Sequence, residues 1–291
     1  MNAVAECVPC LAKQALQVVR ASTSNPELQA MVMQAVCQAM GTMTMRQSAS
    51  HYSMPAYAIT AEMTGVADPY AQLKRESNAT AIRLLPRLRK LVETAEDPLA
   101  MASRIAISGN IIDAGVTYGF DIEHELAGVV SAPFGVNDLA LFNQLATPGK
   151  RLLYLCDNAG EIVFDRLLIE HLLHAGLQVT AVVKAKPIIN DAMMEDAQTA
   201  GLMDICPVID SGCGVIGINW DVNPPELRDL FNASDLVIAK GHGHFETLDE
   251  ETHPGLFCLL KVKCPIVANR LSACVGDLIF SHIPTLNKGE R

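Results

Sequence analysis

The chain has 291 residues, half of them apolar and 19% charged, with 22 Lys and Arg against 32 Asp and Glu for a net charge of −10. This composition builds a large buried core and excludes a disordered or fibrous chain. The acidic balance, with no basic run, excludes nucleic acid and an anionic membrane surface as expected partners, since both would repel it.

The longest uncharged stretch, Leu28 to Met45, is broken at helical spacing by Gln29, Gln34 and Gln38, so it reads as an amphipathic helix and not a membrane span. No basic region followed by an apolar core opens the chain, and no signal peptide is expected. Nine scattered cysteines, an odd number, are expected as reduced thiols in a cytoplasmic protein.

Residues 1–147 read almost wholly as helix. Cys7 to Ala21, Pro26 to Met40, Met54 to Gly65 and Asp68 to Thr94 carry apolar side chains at i, i+3, i+4 spacing. Asp68-Pro69 supplies a cap and a first-turn proline, and Pro98 to Ser108 closes at Gly109. The pattern changes near Pro148-Gly149. Strand-like runs follow at Arg151 to Cys156, Gln178 to Val183, Asp204 to Ile209, Asp235 to Ala239 and Pro265 to Ala268. Helical segments at Glu161 to His174 and Asp191 to Ala200 separate the first of them. Alternating strands and helices predict a three-layer α/β/α fold, with a mostly parallel sheet in residues 148–291 and the helical residues 1–147 packed on it.

Three motifs follow three of these strands: Cys156 to Glu161, Lys184 to Asp191 and Lys240 to Glu246. Asp157 and Asp191 are spaced by one βαβ unit, so both emerge at the carboxyl edge of the sheet, where open α/β sheets bind ligands. Asp157, Asn158 and Asp191 offer two carboxylates and an amide oxygen, a hard donor set for a divalent cation such as Mg²⁺ or Mn²⁺. Lys240 adds fixed positive charge, and Gly241 and Gly243 bare backbone N–H groups for an anion. A cation, a lysine and free amides at one edge suit phosphoryl transfer. Taken singly, an Asp-Asn after a strand or an Asn190-Asp191 pair is more often a turn or helix cap, and it is their coincidence that carries weight.

The blocks SGNIIDAG (108–115), CDNAGE (156–161), KAKPIINDA (184–192) and AKGHGHFETL (239–248), with ECVPC (6–10) at the start, resemble the damage-control phosphatase family, formerly domain of unknown function 89. The Cys-x-x-Cys start is similar to its prokaryotic branch, and the matches run from residue 6 to about 276. The resemblance implies a divalent metal (Mg, Mn, Co or Ni) held by Asp157, Asn158 and Asp191, with a phosphate-binding lysine at Lys240. It places Asn110 and Asp113 at the border of the site, with Glu161 and Glu246 beside the substrate. The implied activity is hydrolysis of small phosphate monoesters, such as sugar phosphates or damaged phosphometabolites. Asp157, Asp191 and Lys240 are the expected catalytic residues. A carboxyl methyltransferase is the alternative within the family, and a non-catalytic phosphometabolite-binding module is the alternative outside it.

One position departs from the family pattern: His244 stands where relatives carry Asn, and it is expected to face the phosphate in a loop that wraps the anion. Gly212 to Gly217 spells G-x-G-x-x-G, but Pro224-Pro225 follows instead of a helix, so a dinucleotide is not expected there. Cys7 and Cys10 lack a second pair to complete a zinc site and are expected to be peripheral. The sequence leaves the oligomeric state open.

Overall fold

A computed structural model describes residues 1–109, 128 and 131–289. The chain opens with five helices: α1 (Cys7–Ser22), α2 (Pro26–Met40), α3 (Ala49–Thr64), α4 (Ala71–Thr94) and α5 (Pro98–Ile107). Their ends follow from local chemistry. The Asn25 side chain accepts the N–H groups of Glu27 and Leu28 ahead of Pro26, and Asp97 accepts that of Ala100. Asp68 makes a turn before α4 rather than capping it, accepting Tyr70 N–H at 3.0 Å and pairing with Lys74 at 2.8 Å.

Seven strands form one sheet: β1 (Phe134–Asn137), β2 (Arg151–Leu155), β3 (Gln178–Val183), β4 (Val208–Asp210), β5 (Leu236–Lys240), β6 (Leu256–Lys261) and β7 (Leu278–His282). Their order is β1-β7-β6-β5-β2-β3-β4, and every pair is parallel except β6–β7. The intervening helices are α6 (Leu139–Leu145), α7 (Glu161–His174), α8 (Met194–Thr199), α9 (Pro225–Ala233), α10 (Gly241–Leu248), α11 (Pro265–Leu271) and α12 (Ile283–Lys288).

Side chains alternate across the sheet and define two cores. Leu152, Tyr154, Ile238 and Phe257 point to the face covered by α4, α5 and α7. Leu153, Leu155, Val237 and Cys258 point to the face covered by α9, α10 and α11. The result is three layers. The five opening helices divide their work, because α4 and α5 belong to one covering layer while α1 to α3 close a separate small cluster around Val19, Val32 and Val36.

Several elements differ from the reading of the sequence. The sheet takes its edge strand β1 from before residue 148, and β6 and β7 were not expected. Pro265 to Ala268 is the first turn of a helix: Cys264 is extended and Pro265 occupies the position where a missing N–H costs nothing. The third run, Asp204 to Ile209, is strand only from Val208, in the strand Val208–Asp210 that follows a 3₁₀ turn at Leu202–Asp204. Residues 241–248 form helix α10, not a loop. No helix among the described residues is long and apolar enough to cross a membrane.

β2 is followed outward by β3 and β4 on one side, while β5 and β6 lie on the other. The point where winding reverses therefore falls between β2 and β5. In open α/β sheets the ligand crevice lies there, outside the carboxyl ends of the strands.

Candidate active site

The turns that leave β2 and β3 are stapled together by backbone hydrogen bonds. Ala159 N–H donates to Asn190 O at 2.9 Å, and Ala192 N–H donates to Asp157 O at 2.8 Å. This short antiparallel pairing sets Asn158 opposite Asp191. Asp157, Asn158 and Asp191, expected together from sequence, are thus brought together at the crevice. Asn158 Nδ2 donates to Asp157 Oδ2 at 2.9 Å and lies 3.4 Å from Glu161 Oε2.

From the other side of the crevice comes Gly241, the first residue of α10, at φ 79°. A Cβ there would overlap the Asp157 carboxylate, so only glycine allows β5 to turn into α10 at this closeness.

The electrostatics are those of crowded carboxylates. Burial, then Glu161 and Asp191, raise the Asp157 carboxyl well above the ordinary range, against Lys263 and Lys240. Burial raises Asp191 to about 6, with Glu161 adding and Lys184, Lys74 and Lys263 opposing. Groups that gain a proton when alone in the pocket are groups that a cation would relieve. Among the described residues no three His, Cys, Asp or Glu side chains are grouped to hold a metal by themselves. The set that would fit a cation is two carboxylates and the Asn158 amide with water completing it, a donor chemistry that suits a hard cation and not a zinc-type cage.

Lys240 is fully buried, and its ammonium is directed inward. It donates to Ala106 O at 2.9 Å, to Glu161 Oε1 at 2.6 Å and to Asp165 Oδ1 at 2.6 Å. Burial opposes its charge, but Asp165 and Glu161 outweigh that and hold the ammonium above its ordinary pKa. The three donors of a lysine are all used by this set. Tyr154 Oη donates to the same Asp165 oxygen at 2.7 Å.

The two histidines do not present charge to the crevice. His244 is buried, and its Nδ1–H donates to Lys240 O at 2.7 Å. Burial, then Lys184, push its pKa well below the usual value. His242 Nε2 accepts Lys263 N–H at 3.0 Å, and burial lowers its pKa to about 4. The expectation of a phosphate-facing His244 is corrected on this ground: α10 turns its ring into the protein. Glu246 is likewise elsewhere, accepting from Ser50 Oγ at 2.6 Å and Ser50 N at 3.2 Å on helix α3. Asn110 and Asp113 lie outside the described residues.

Three further residues reach the site. Asn78 of α4 accepts Gly160 N–H at 2.7 Å and donates to Asp196 at 2.7 Å. Lys184 is buried, donates to Gly217 O at 2.8 Å and lies 3.8 Å from Asp191 Oδ2. Lys263, exposed at the carboxyl end of β6, lowers both Asp157 and Asp191. Lys184 had a signal in sequence, a lysine directly after an apolar strand run; Lys263, beyond a strand that was not expected, and Asn78, mid-helix, had none. The segment Gly212 to Gly217 opens no helix. Cys7 and Cys10 are free thiols at the start of α1.

Comparison with known proteins gives a consistent picture. The damage-control phosphatase ARMT1-like domain matches residues 3–279. A damage-control phosphatase of Archaeoglobus fulgidus is 37% identical over 223 residues, which cover 75% of this chain and 77% of that protein. One from Pyrococcus horikoshii is 30% identical over 282 residues, covering 94% and 96%. The crystal structure of a DUF89 family protein from Pyrococcus horikoshii superposes with a TM-score of 0.86 at 29% identity, covering 97% of this chain and 99% of that one.

Proposed function

The chain belongs to the family of the damage-control phosphatase ARMT1-like domain, and from that premise we propose that it is a metal-dependent phosphatase of small phosphate monoesters, sugar phosphates or damaged phosphometabolites. The observation that carries the reading is the stapled pair of turns, which holds Asp157, Asn158 and Asp191 side by side at the switch point of the sheet.

Asp157 and Asp191 would be the charged ligands for Mg²⁺, Mn²⁺, Co²⁺ or Ni²⁺, and Asn158 the neutral one. The cation supplies Lewis-acid polarisation of the phosphoryl oxygens and of a bound water. The protein's own groups do the rest. Helices α7 and α10 both begin at the crevice, so their N-terminal dipoles favour a phosphoryl anion between them. Lys263, exposed at the same edge, lowers both carboxylates and adds positive charge where an incoming phosphate would meet the crevice. Lys240 neutralises Glu161 and Asp165, which keeps the floor of the crevice from repelling the anion. For Lys240 to bind a phosphoryl oxygen directly, one of its three acceptors must first be released. Asp157 or Asp191 would also be placed to orient the attacking water. A cytoplasmic location, with a free phosphorylated metabolite as partner, completes the reading and rests on the odd number of cysteines, all of them free thiols.

Phosphate release from p-nitrophenyl phosphate and from sugar phosphates, with each of the four cations and after chelation, is the test. Activity is expected only with metal, and Asp157→Asn or Asp191→Asn is expected to lower it by about 100-fold or more, beyond the effect usual for an outer-shell residue. Full activity after exhaustive chelation would overturn the reading, and metal-dependent ligand binding without turnover would turn it into that of a binding module.

A further inference from the structure

Beside the carboxylate site lies a cavity of about 220 Å³ that none of the catalytic roles uses. Helices α1 and α3 wall one side of it with Val18, Met54 and Ala61, and the turn Pro187 to Ile189 walls the other. That same turn holds Asp191, whose N–H donates to Ile188 O at 3.1 Å. The cavity and the metal ligand are thus two faces of one turn. Ile189 stands at φ 47°, a left-handed conformation that a β-branched side chain avoids. Such strain persists where surrounding structure over-determines it, and it clusters at ligand-binding turns.

Apolar side chains share the lining with Ser22, Thr60, Asp68, Tyr70 and Lys186. The Tyr57 hydroxyl is buried with no partner at hydrogen-bond geometry, the Gln14 side chain being its polar neighbour. Burial, then Tyr70 and Asp191, raise the phenol's pKa, so it remains an O–H donor at any working pH. An apolar space of roughly 150 Å³ accepts a benzene ring, so this one has room for a ring and a substituent.

We propose that this cavity receives the organic part of the phosphate ester, and that it suits an apolar or aromatic group about one ring in size carrying an acceptor for Tyr57. The proposal rests on the phosphatase reading and names its substrate class: the phosphoryl group sits at Asp157 and Asp191, and the ester oxygen leads across the Pro187 to Asp191 turn into the cavity.

Benzyl phosphate and ethyl phosphate have leaving groups of similar basicity and differ in the ring, so their relative kcat/KM reads the cavity alone. The wild type is expected to favour benzyl phosphate by about tenfold or more, the scale on which hydrophobic pockets discriminate. Ala61→Phe, which fills the space, is expected to bring the ratio close to one. Val66→Trp at the rim serves as a second filling variant should the first fail to fold. Tyr57→Phe is expected to weaken 4-acetylbenzyl phosphate more than benzyl phosphate. Hydrolysis of both esters with a ratio that the filling variants leave within twofold overturns the subsite while leaving the phosphatase standing. Hydrolysis of no ester at all overturns both.

Discussion

Because the His244 ring is enclosed and donates to Lys240 O, its ionisation is governed by burial and not by any anion in the crevice. With a folded-state pKa far below the usual 6.5, the folded protein binds fewer protons than the unfolded chain once the pH drops below that value. The contribution to stability is complete above about pH 6.5 and is lost as pH falls toward the folded value, at up to ~1.4 kcal/mol per pH unit for one proton. His244→Asn is expected to flatten that acid limb in denaturant titrations from pH 7 to 5. The dependence of KM on pH should stay superimposable on wild type, and a divergence of the two KM profiles would return the histidine to the phosphate. Lys240 is the opposite case, a buried charge made necessary by its neighbours. Lys240→Met leaves Glu161 and Asp165 facing each other without a cation and is expected to cost about 3–5 kcal/mol. Burial, with Glu161 adding, already raises Asp165 to about 6 against Lys240. An acid with a raised folded pKa destabilises the fold as pH rises through that value. The loss in the variant should therefore be larger at pH 8 than at pH 5, and adding Asp165→Asn should recover part of it. Equal losses at both pH values would contradict this account.

At the scale of elements, the position of Asp157 depends on what β5 does after Lys240. Gly241→Ala places a methyl group against the Asp157 carboxylate and forces φ 79° on a residue that resists it. A cost of about 1–3 kcal/mol is expected, and metal affinity measured by calorimetry should fall with it; unchanged metal binding would show that the two strands approach less closely. This element also marks where the sequence was legible and where it was not. Asp157, Asn158 and Asp191 could be read because each follows a clear apolar strand, and the spacing of one crossover fixes the edge at which they meet. Helix α10 could not, since two glycines in GHGHFETL read as a loop, whereas Phe245 and Leu248 bury into the core and hold it helical. The inward course of Lys240 was hidden for a related reason. Its partner Asp165 is four residues along α7 from Glu161, and nothing in the spacing of the chain marks that turn of helix as facing the end of β5. The strands β6 and β7 form part of a fully buried sheet, where continuous apolar runs lose the alternation that identifies a strand.

Across the whole molecule, two of the ties between the opening helices and the α/β part have different consequences. On α3, Ser50 donates twice to Glu246 of α10, and the terminal amino group of Met1 pairs with Asp249 just beyond the same helix. On α4, Asn78 bridges Gly160 N–H, one residue before α7, and Asp196 of α8. The first tie anchors the small cluster of α1 to α3. The second holds the turn that carries Asp157 and Asn158 into the crevice. Ser50→Ala removes one hydrogen bond to a carboxylate while Ser50 N–H still donates, and it is expected to cost about 1 kcal/mol. Asn78→Ala leaves a buried N–H and a buried carboxylate oxygen without their partner, and about 2–4 kcal/mol is expected from two such losses. Both variants should therefore unfold at lower denaturant concentration. Only Asn78→Ala should also weaken metal binding, by about tenfold, because it releases the backbone that orients the ligands. Urea titration beside metal titration of the two variants separates the effects. If Ser50→Ala weakened the metal as much as Asn78→Ala, the helices would act on the site through the fold as a whole, and not through the one turn that Asn78 grips.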